Sequence, residues 1–463
     1  MSTTTRSWPR ALAVAAALPL LAVAACSGAG GTGGTSGGGG NSGQSGGNAT
    51  LNVAVVANPD MQRMEKLLPE FESSHPGIQV KFTTLDEITL RDKLQQDIST
   101  KSGQFDVAMV GVVEVPQWAK NDWIADITDR AAGAANYDVN DILAPIKDGL
   151  SVDGKLYAVP FYGESSFMMY RKDLFKKAGI TMPENPTWDQ IQEFAAKVND
   201  PKGGVAGICL RGQAGWGSNL SAYTTVLHAY GGHMYGPNYE AGLNSPEAKA
   251  ATETYVGLVT KYGEKGASSA SFPECQNVFN QGKAAMWYDA TVAASSVTDP
   301  QHSKVADNVG FALAPSAKLA TGGWLWAWSL SMIKTSKHQD AAWDFMQWAT
   351  SKDYIKLAAD KFGWNLVPPG TRQSTYDSPD YQKAAAAYAG LTLQAIKGAK
   401  VNIDGAADTE RSFYVSIPEW TDVGTTVSQS ITAAIAGQKS VDQALQDANK
   451  VLTDAAKAGG YSK

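Results

Sequence analysis

The feature that most constrains the fold is a regular alternation of strand and helix patterns that begins near residue 50. Residues 51–57 alternate as a strand does, and residues 78–84 and 105–110 predict two more strands. Apolar residues at helical spacing fill the first gap, and residues 90–98 predict a helix in the second. This order is typical of an α/β fold with a mostly parallel sheet, in which ligands bind beyond the carboxyl ends of the strands.

The later part of the chain continues in the same style. Helices are predicted over residues 188–198 and 245–262, and a short strand over residues 207–210. A further helix is predicted to run from residue 343 past Ser351 towards residue 362. Ser440 and Gln443 indicate a capping box for a helix through residue 451. Because this body of about 410 residues exceeds the size of one hydrophobic core, we expect two lobes.

The N-terminal segment is predicted to direct the protein out of the cytoplasm. Arg6 and Arg10 precede an apolar stretch at residues 11–23, and small residues stand directly before Cys26. Residues 1–25 are therefore interpreted as a lipoprotein signal peptide, with an ordinary signal peptide as the alternative. Acylation of Cys26 with two or more chains would anchor the protein stably to a membrane. Residues 26–49, rich in Gly and Ser, are predicted to be a flexible linker.

Charge and missing motifs exclude several classes of function. The net charge of −6 argues against nucleic acid as a partner, because phosphate binding favours a basic face. The sequence has no Walker A, His-Glu-x-x-His or Gly-x-Ser-x-Gly motif, so we expect no enzyme, cofactor or metal site. A glycoside hydrolase remains an alternative, because Glu87, Glu164 and Asp289 could imitate paired carboxylates. Cys209 and Cys275 could form a disulfide or remain two buried thiols.

Tryptophans that stand beside polar residues indicate a site for a hydroxyl-rich ligand. Such groups occur at residues 215–219, 286–289 and 323–328. A sugar or sugar alcohol presents C–H faces and many hydroxyl groups, so its site needs flat aromatic surfaces together with polar donors and acceptors. The alternative for any one tryptophan is core packing. Alternation along a strand would place Trp324, Trp326 and Trp328 on one face.

Several longer motifs resemble a known family over nearly the whole body. Gly-Lys-Leu-Tyr-Ala-Val-Pro at residues 154–160 and Tyr-Arg-Lys-Asp-Leu-Phe at residues 170–175 are similar to the type II solute-binding proteins of ABC sugar importers, the group that includes maltose-binding protein. Gly-Glu-Ser-Ser at residues 163–166 and Asp-Ala-Thr-Val-Ala-Ala-Ser at residues 289–295 resemble the sorbitol- and mannitol-binding members more narrowly.

This resemblance implies two lobes, joined by strand crossovers, with a ligand cleft between them. Lobe one would comprise residues 50–162 with 332–383, and lobe two residues 163–331 with 384–463. The implied protein is a lipid-anchored extracytoplasmic monomer that captures a sugar alcohol or small sugar by lobe closure and delivers it to an ABC permease. Alternatives are an oligosaccharide such as a maltodextrin as the ligand, or a sensory lipoprotein without an importer.

The resemblance also suggests which residues contact the ligand. Some have a structural alternative: Asn58 and Asp60 could cap the helix that follows, and so could Asp289. The predicted ligand-binding residues are Asn58, Asp60, Glu87, Glu114, Glu164, Trp216, Asn219, Asp289, Trp324, Trp326 and Tyr414.

Overall fold

The computed structural model describes residues 48–320, 323–399, 405–407, 410–411 and 413–462. The predicted signal peptide, Cys26 and the linker up to residue 47 lie outside the described residues. The first strand begins at Ala49, so the fold starts slightly before the predicted end of the linker. Within the described ranges, no helix combines the length and apolar character needed to cross a membrane.

Strands and helices alternate along the first part of the chain, and helices dominate the last part. The strands are β1 Ala49–Val56, β2 Ile78–Leu85, β3 Val107–Gly111, β4 Ser151–Val152, β5 Lys155–Leu156, β6 Val159–Glu164, β7 Ser166–Arg171, β8 Met286–Ala290, β9 Val309–Leu313, β10 Trp326–Met332, β11 Glu410–Arg411 and β12 Tyr414–Val415. The helices of the first half are α1 Pro59–Ser74, α2 Glu87–Thr100, α3 Val115–Lys120, α4 Thr128–Gly133, α5 Ala144–Gly149, α6 Lys172–Lys177, α7 Trp188–Val198 and α8 Asn219–Ala229. The later helices are α9 Pro246–Tyr262, α10 Phe272–Asn280, α11 Ala293–Val297, α12 Gln339–Ala349, α13 Lys352–Phe362, α14 Gln373–Asp377, α15 Pro379–Ala384, α16 Ala389–Gly398, α17 Trp420–Ile435 and α18 Val441–Ala458.

The first sheet has the strand order β2-β1-β3-β10-β6. Strand β1 pairs in parallel with β2 and β3, whereas β10 pairs antiparallel with both β3 and β6. Among the described strands of this sheet, β10 alone therefore runs against the other four. The prediction of a mostly parallel sheet holds here, apart from this strand.

The second sheet, ordered β8-β7-β9, corrects the prediction of parallel pairing. Strand β7 pairs antiparallel with both β8 and β9. Parallel pairing appears in single bridges that join Ala206 to Ala284 and Cys209 to Trp287. The reason is the crossover: β7 follows β6 after Ser165 and enters the second sheet from the first, just as β10 returns to the first after β9. In each sheet, the strand that enters from the other sheet runs antiparallel to its neighbours: β10 in the first sheet and β7 in the second.

The strand predicted over residues 207–210 does not form a ladder. Its backbone groups bond to other partners: the Gly207 N–H donates to Asn199 Oδ1 at 3.1 Å, and the Ile208 N–H donates to the Tyr262 carbonyl at 3.2 Å. Among the described residues, the segment meets β8 at the single bridge between Cys209 and Trp287.

Most predicted helices are confirmed, and their caps explain where they begin. The Asn58 side chain accepts from the Met61 N–H at the start of α1, and the Asp86 side chain accepts from the Thr89 N–H at the start of α2. The single helix predicted from residue 343 to 362 is wrong. The segment forms two helices. Helix α12 ends at Ala349, and helix α13 begins after Ser351, whose hydroxyl accepts a hydrogen bond from the Tyr354 N–H.

The helices after β10 pack against both sheets. Helix α12, which follows β10, contacts β1, β6 and β10 and therefore packs against the first sheet. Helix α16 contacts β6, β7 and β9, and helices α17 and α18 pack on α9. Helix α18 extends to Ala458, beyond the predicted end at residue 451.

Candidate ligand-binding site

A charged cluster forms where β3 and α2 meet. The Gly111 N–H donates to Glu114 Oε2 at 2.6 Å, which fixes the Glu114 carboxylate at the end of β3. Arg91 donates from Nε to Glu114 Oε1 at 2.7 Å and from Nη1 to Glu87 Oε1. Burial alone would lower the pKa of the Arg91 guanidinium, but Glu87 and Glu114 raise it above its ordinary value. Arg91 Nη2 is buried and finds no hydrogen-bond partner among the described residues.

Aromatic rings enclose this arginine. The guanidinium carbon of Arg91 lies 4.1 Å from the ring centroid of Trp216, 5.5 Å from that of Trp326 and 5.3 Å from that of Trp328. Phe413 lies 5.4 Å from Trp326 and Tyr414 lies 5.4 Å from Trp216, both measured between centroids. Such contacts hold an arginine by cation–π attraction, while its remaining N–H groups point outward in the plane of the guanidinium group and can still donate.

A second arginine–carboxylate pair lies at the end of β8. Arg211 donates to Asp289 through Nε at 2.9 Å and through Nη2 at 2.5 Å, and Trp287 Nε1 donates to Asp289 Oδ2 at 3.0 Å. Burial would lower the pKa of Arg211, but the paired Asp289 raises it. Helix α11 has Val292 at its N-cap, so Asp289 does not cap that helix. Its role here is to hold Arg211.

Trp324 closes the site on the side of the second sheet. The guanidinium carbon of Arg211 lies 5.8 Å from the Trp324 ring centroid. The Trp324 N–H donates to Ser166 Oγ at 3.2 Å, which ties the returning chain to the start of β7. Phe413 contacts Trp324 as well as Trp326, with a centroid separation of 6.2 Å from Trp324. The tryptophan-rich segment and Phe413 therefore form one aromatic wall.

Glu164 lies between the two charged clusters, at the end of β6. Its side chain is buried, and Oε2 has no hydrogen-bond partner among the described residues. Burial raises the pKa of the Glu164 carboxyl well above its ordinary value; Arg211 opposes this shift, whereas Asp289 and Glu87 add to it. Glu164 can therefore carry a proton and offer either a donor or an acceptor to a ligand.

Asn58 and Asp60 flank the site at the start of α1. Asn58 caps that helix and also donates from Nδ2 to the Tyr162 hydroxyl at 3.0 Å. Asp60 pairs with Arg63 at 2.7 Å. Asp60 also lines a small polar cavity together with residues that follow β8 and residues near α15 and α16, among them Thr291, Ser295, Asn365, Tyr388 and Thr392.

The Asn219 side chain bonds to helix α17 and not to either arginine–carboxylate cluster. Its Nδ2 donates to Thr432 Oγ1 at 2.9 Å and to the Ser428 carbonyl at 3.3 Å, and its Oδ1 accepts from Ser428 Oγ at 2.5 Å. These bonds join α8 to α17. Tyr414 borders the aromatic wall, and its hydroxyl donates to Gln117 Oε1 at 3.5 Å.

Arg91, Arg211 and Phe413 lie among the predicted site residues but were not predicted from the sequence. Arg91 stands four residues after Glu87 on one helix, which is a spacing that pairs opposite charges. Arg211 directly follows a buried apolar segment, where a charged residue points to a site. Both signals were present in the sequence. Phe413 gave no signal of its own, because its contacts come from distant segments.

Comparison with known proteins identifies the family. The sequence profile of the bacterial extracellular solute-binding proteins matches residues 58–356, and the chain belongs to this family. A mannitol-binding protein of Pseudomonas aeruginosa is 43% identical over 424 residues, which cover 90% of this chain and 95% of that protein. The resemblance inferred from the motifs is therefore confirmed.

Solved structures agree with this assignment. An ABC transporter solute-binding protein of Agrobacterium vitis S4, crystallised with bound D-mannitol, is 48% identical with a TM-score of 0.87, covering 89% of this chain and all (100%) of that chain. A solute-binding protein of Agrobacterium radiobacter K84 in complex with ribitol is 25% identical with a TM-score of 0.78, covering 88% and 99%. The maltose-bound MalE3 of Thermotoga maritima, 22% identical with a TM-score of 0.75 and coverage of 88% and 99%, shares the fold. The predicted two-lobe α/β fold is confirmed.

Proposed function

We propose that this protein captures a sugar alcohol of the mannitol type outside the cytoplasm and delivers it to the membrane permease of an ABC importer. The observation that carries the proposal is a pair of buried polar atoms without partners among the described residues, Arg91 Nη2 and Glu164 Oε2. Leaving such groups unpaired costs about 1–3 kcal/mol each or more, so the site is built for a ligand that bonds to them.

The chemistry around these atoms suits a linear chain of hydroxyl groups. Arg91 and Arg211 are each held by carboxylates, so their remaining N–H groups are fixed in direction. Trp216, Trp324 and Trp326 offer flat faces for the C–H groups of the ligand. The mannitol- and ribitol-binding relatives support a sugar alcohol rather than an oligosaccharide.

The proposed ligand would be bound by lobe closure, because the site residues come from both proposed lobes. Glu87, Arg91 and Glu114 belong to the proposed lobe one, residues 50–162 with 332–383. Arg211 and Asp289 belong to the proposed lobe two, residues 163–331 with 384–463. A ligand that bonds to both sets stabilises the closed arrangement, because only contacts that differ between the open and closed forms shift their populations.

Catalysis is not part of the proposal. A glycoside hydrolase needs two carboxyl groups free to act on the glycosidic bond. Glu87 bonds to Arg91, and both oxygens of Asp289 bond to Arg211. These pairs support binding instead. The proposal also includes acylation of Cys26, tethering through residues 26–49 and a monomeric state.

Calorimetric titration of the purified protein tests the ligand class. The panel contains D-mannitol, D-sorbitol, ribitol, erythritol, maltose and maltotriose. We expect saturable binding of at least one sugar alcohol and none of the two oligosaccharides. Binding of maltose or maltotriose alone would contradict the proposed ligand, and product release from maltotriose would contradict a purely binding role.

Two variants test the site itself. Arg91→Gln should weaken sugar-alcohol binding by about tenfold or more, since a hydrogen bond to a charged group contributes about 1.5–3 kcal/mol. Glu164→Gln should weaken it less, since a hydrogen bond between uncharged groups contributes about 0.5–1.5 kcal/mol. Arg130→Gln and Glu193→Gln are matched controls: Arg130 pairs with Asp340 at 2.7 Å near the surface, and Glu193 is exposed. Unchanged affinity in both site variants would place the ligand elsewhere.

A further inference from the structure

The loop before α8 lies directly against α2. This loop, residues 215–218, carries Trp216, whose ring covers Arg91 with a separation of 4.1 Å from guanidinium carbon to centroid. A Cβ atom on Gly217 would lie 2.3 Å from Glu87 Oε1 and 3.2 Å from Arg91 Nη1. Since real Cβ atoms essentially never approach other atoms below 3.0 Å, a side chain here would either push the Glu87 carboxylate out of its place beside Arg91 or move the loop away from α2.

Hydrogen bonds with Arg211 and Ser428 also hold the loop in place. Arg211 Nη1 donates to the Gly217 carbonyl at 3.1 Å, and the Gly215 N–H donates to Ser428 Oγ at 2.6 Å. Because Arg211 is itself held by Asp289, the loop cannot easily retreat from Glu87 without breaking these bonds. Hydrogen bonds therefore run from Asp289 through Arg211 to the Gly217 carbonyl, and Gly217 lies closely against Glu87.

We propose that Gly217 is a positioning residue whose missing side chain lets the two lobes close fully over the ligand. The inference rests on the proposed function, because closure matters for affinity only if the cleft binds a ligand. Gly217 has no positive φ, so an alanine here meets no backbone strain. Its effect comes from the contact with Glu87.

The first test is the affinity of Gly217→Ala for the sugar alcohol that the wild type binds. We expect affinity to fall by about tenfold or more, because steric overpacking typically costs about 1–3 kcal/mol. Gly257→Ala is the matched control: Gly257 lies in α9 with no atom within 4 Å of a Cβ, so its affinity should equal that of the wild type. The urea midpoint of each variant checks that it is folded.

A double-mutant cycle tests whether the Glu87 carboxylate is the group that a side chain at Gly217 collides with. In a Glu87→Ala background the obstructing carboxylate is gone, so adding Gly217→Ala should cause no further loss of affinity. The same loss in both backgrounds would overturn the inference, and so would a Gly217→Ala variant that binds as the wild type does.

Small-angle X-ray scattering with and without the sugar alcohol gives an independent readout. The wild type should become more compact when ligand is added, whereas Gly217→Ala at a saturating concentration should keep a larger radius of gyration than the liganded wild type. A wild type that binds no sugar alcohol would refute the proposed function, and a liganded Gly217→Ala as compact as the liganded wild type would refute the inference alone.

Discussion

Glu164 is a buried carboxyl group at the end of β6 whose Oε2 has no hydrogen-bond partner among the described residues. Arg211 favours its charged form but is itself bonded to Asp289, and Glu87 and Asp60 add further negative charge. Burial is the largest reason that its pKa lies well above the ordinary value. The residue therefore links the stability of the folded protein to pH.

The pH dependence of Glu164→Gln should differ from that of the wild type. An unfolded chain releases the Glu164 proton near its ordinary pKa of 4.5, whereas the folded protein keeps it to higher pH. Between these two pKa values the folded state binds more protons, so the free energy of unfolding falls as pH rises. Urea titrations from pH 4.5 upward should show this loss in the wild type and in Glu193→Gln, and not in Glu164→Gln. The same pH dependence of the free energy of unfolding in all three proteins would refute this role of Glu164.

Gly111 is a second position where the absence of a side chain shapes the site. A Cβ atom there would lie 2.2 Å from the Trp326 ring and 2.6 Å from Glu114 Oε2. We expect Gly111→Ala to lower the free energy of unfolding by about 1–3 kcal/mol, since the ring and the carboxylate must both move. Urea denaturation measures it. Gly133→Ala, where nothing lies within 4 Å, should remain near the wild type; a comparable loss there would show that the effect is not local.

At the scale of elements, the disulfide joins a segment beside β8 to helix α10. Cys209 bonds to Cys275, which is 66 residues away in sequence, and both side chains are buried. The segment around Cys209 meets β8 at one bridge instead of a ladder, so the disulfide adds a covalent link to the few hydrogen bonds that hold it in place. Arg211 follows two residues later, and the link therefore also supports the site.

Replacing both cysteines by alanine should destabilise the protein by about 4 kcal/mol, the loop-closure estimate for a loop of this length. The comparison is urea unfolding of the wild type with Cys209→Ala/Cys275→Ala, both without reducing agent. Adding dithiothreitol should destabilise the wild type and leave the variant unchanged. An equal response of both proteins to the reductant would show that the bond contributes nothing.

Helix α2 explains why the cleft on the first-sheet side is charged. Asp86 caps the helix, Glu87 lies in its first turn and Arg91 follows one turn later on the same face. The cap fixes where the helix begins, and the helical period then places Glu87 beside Arg91, which bonds to Glu114.

At the scale of the whole molecule, the reversed strands β7 and β10 connect the two sheets near the cleft. Ser165 is the single residue between β6 and β7, and it follows Glu164 directly. A rotation about this crossover would change the relative position of Arg91 and Arg211, because α2 packs on the first sheet and Arg211 is bonded to Asp289 in the second. In the proposed function, such a rotation would couple ligand binding to lobe movement.

The proposed anchor is testable on the whole protein. Cys26→Ser removes the thiol that acyl chains would modify, so the protein should leave the membrane fraction and appear in the soluble extracytoplasmic fraction. Binding of the sugar alcohol by the released protein should equal that of the wild type, since the body that binds starts at Ala49. Retention of Cys26→Ser on the membrane would contradict lipidation at this residue.

The sequence by itself determined the local elements and the family. Helix and strand periodicity located α1, α2, α7 and α9 closely, because caps such as Asn58 and Thr187 act within a few residues of chain. Motifs at residues 154–175 indicated the family, because they are contiguous in sequence. The carboxylates at strand ends followed from the general position of ligands in α/β sheets.

Only the tertiary structure decided which of these residues meet. Asn219 was predicted in the site, yet it joins α8 to α17, because its partners Ser428 and Thr432 stand more than 200 residues away. Arg91 and Arg211 became visible as site residues once Glu114 and Asp289 were placed beside them. The direction of β7 depended on a crossover between sheets. Pairings of this kind are set by long-range packing, which the period of a single segment does not contain.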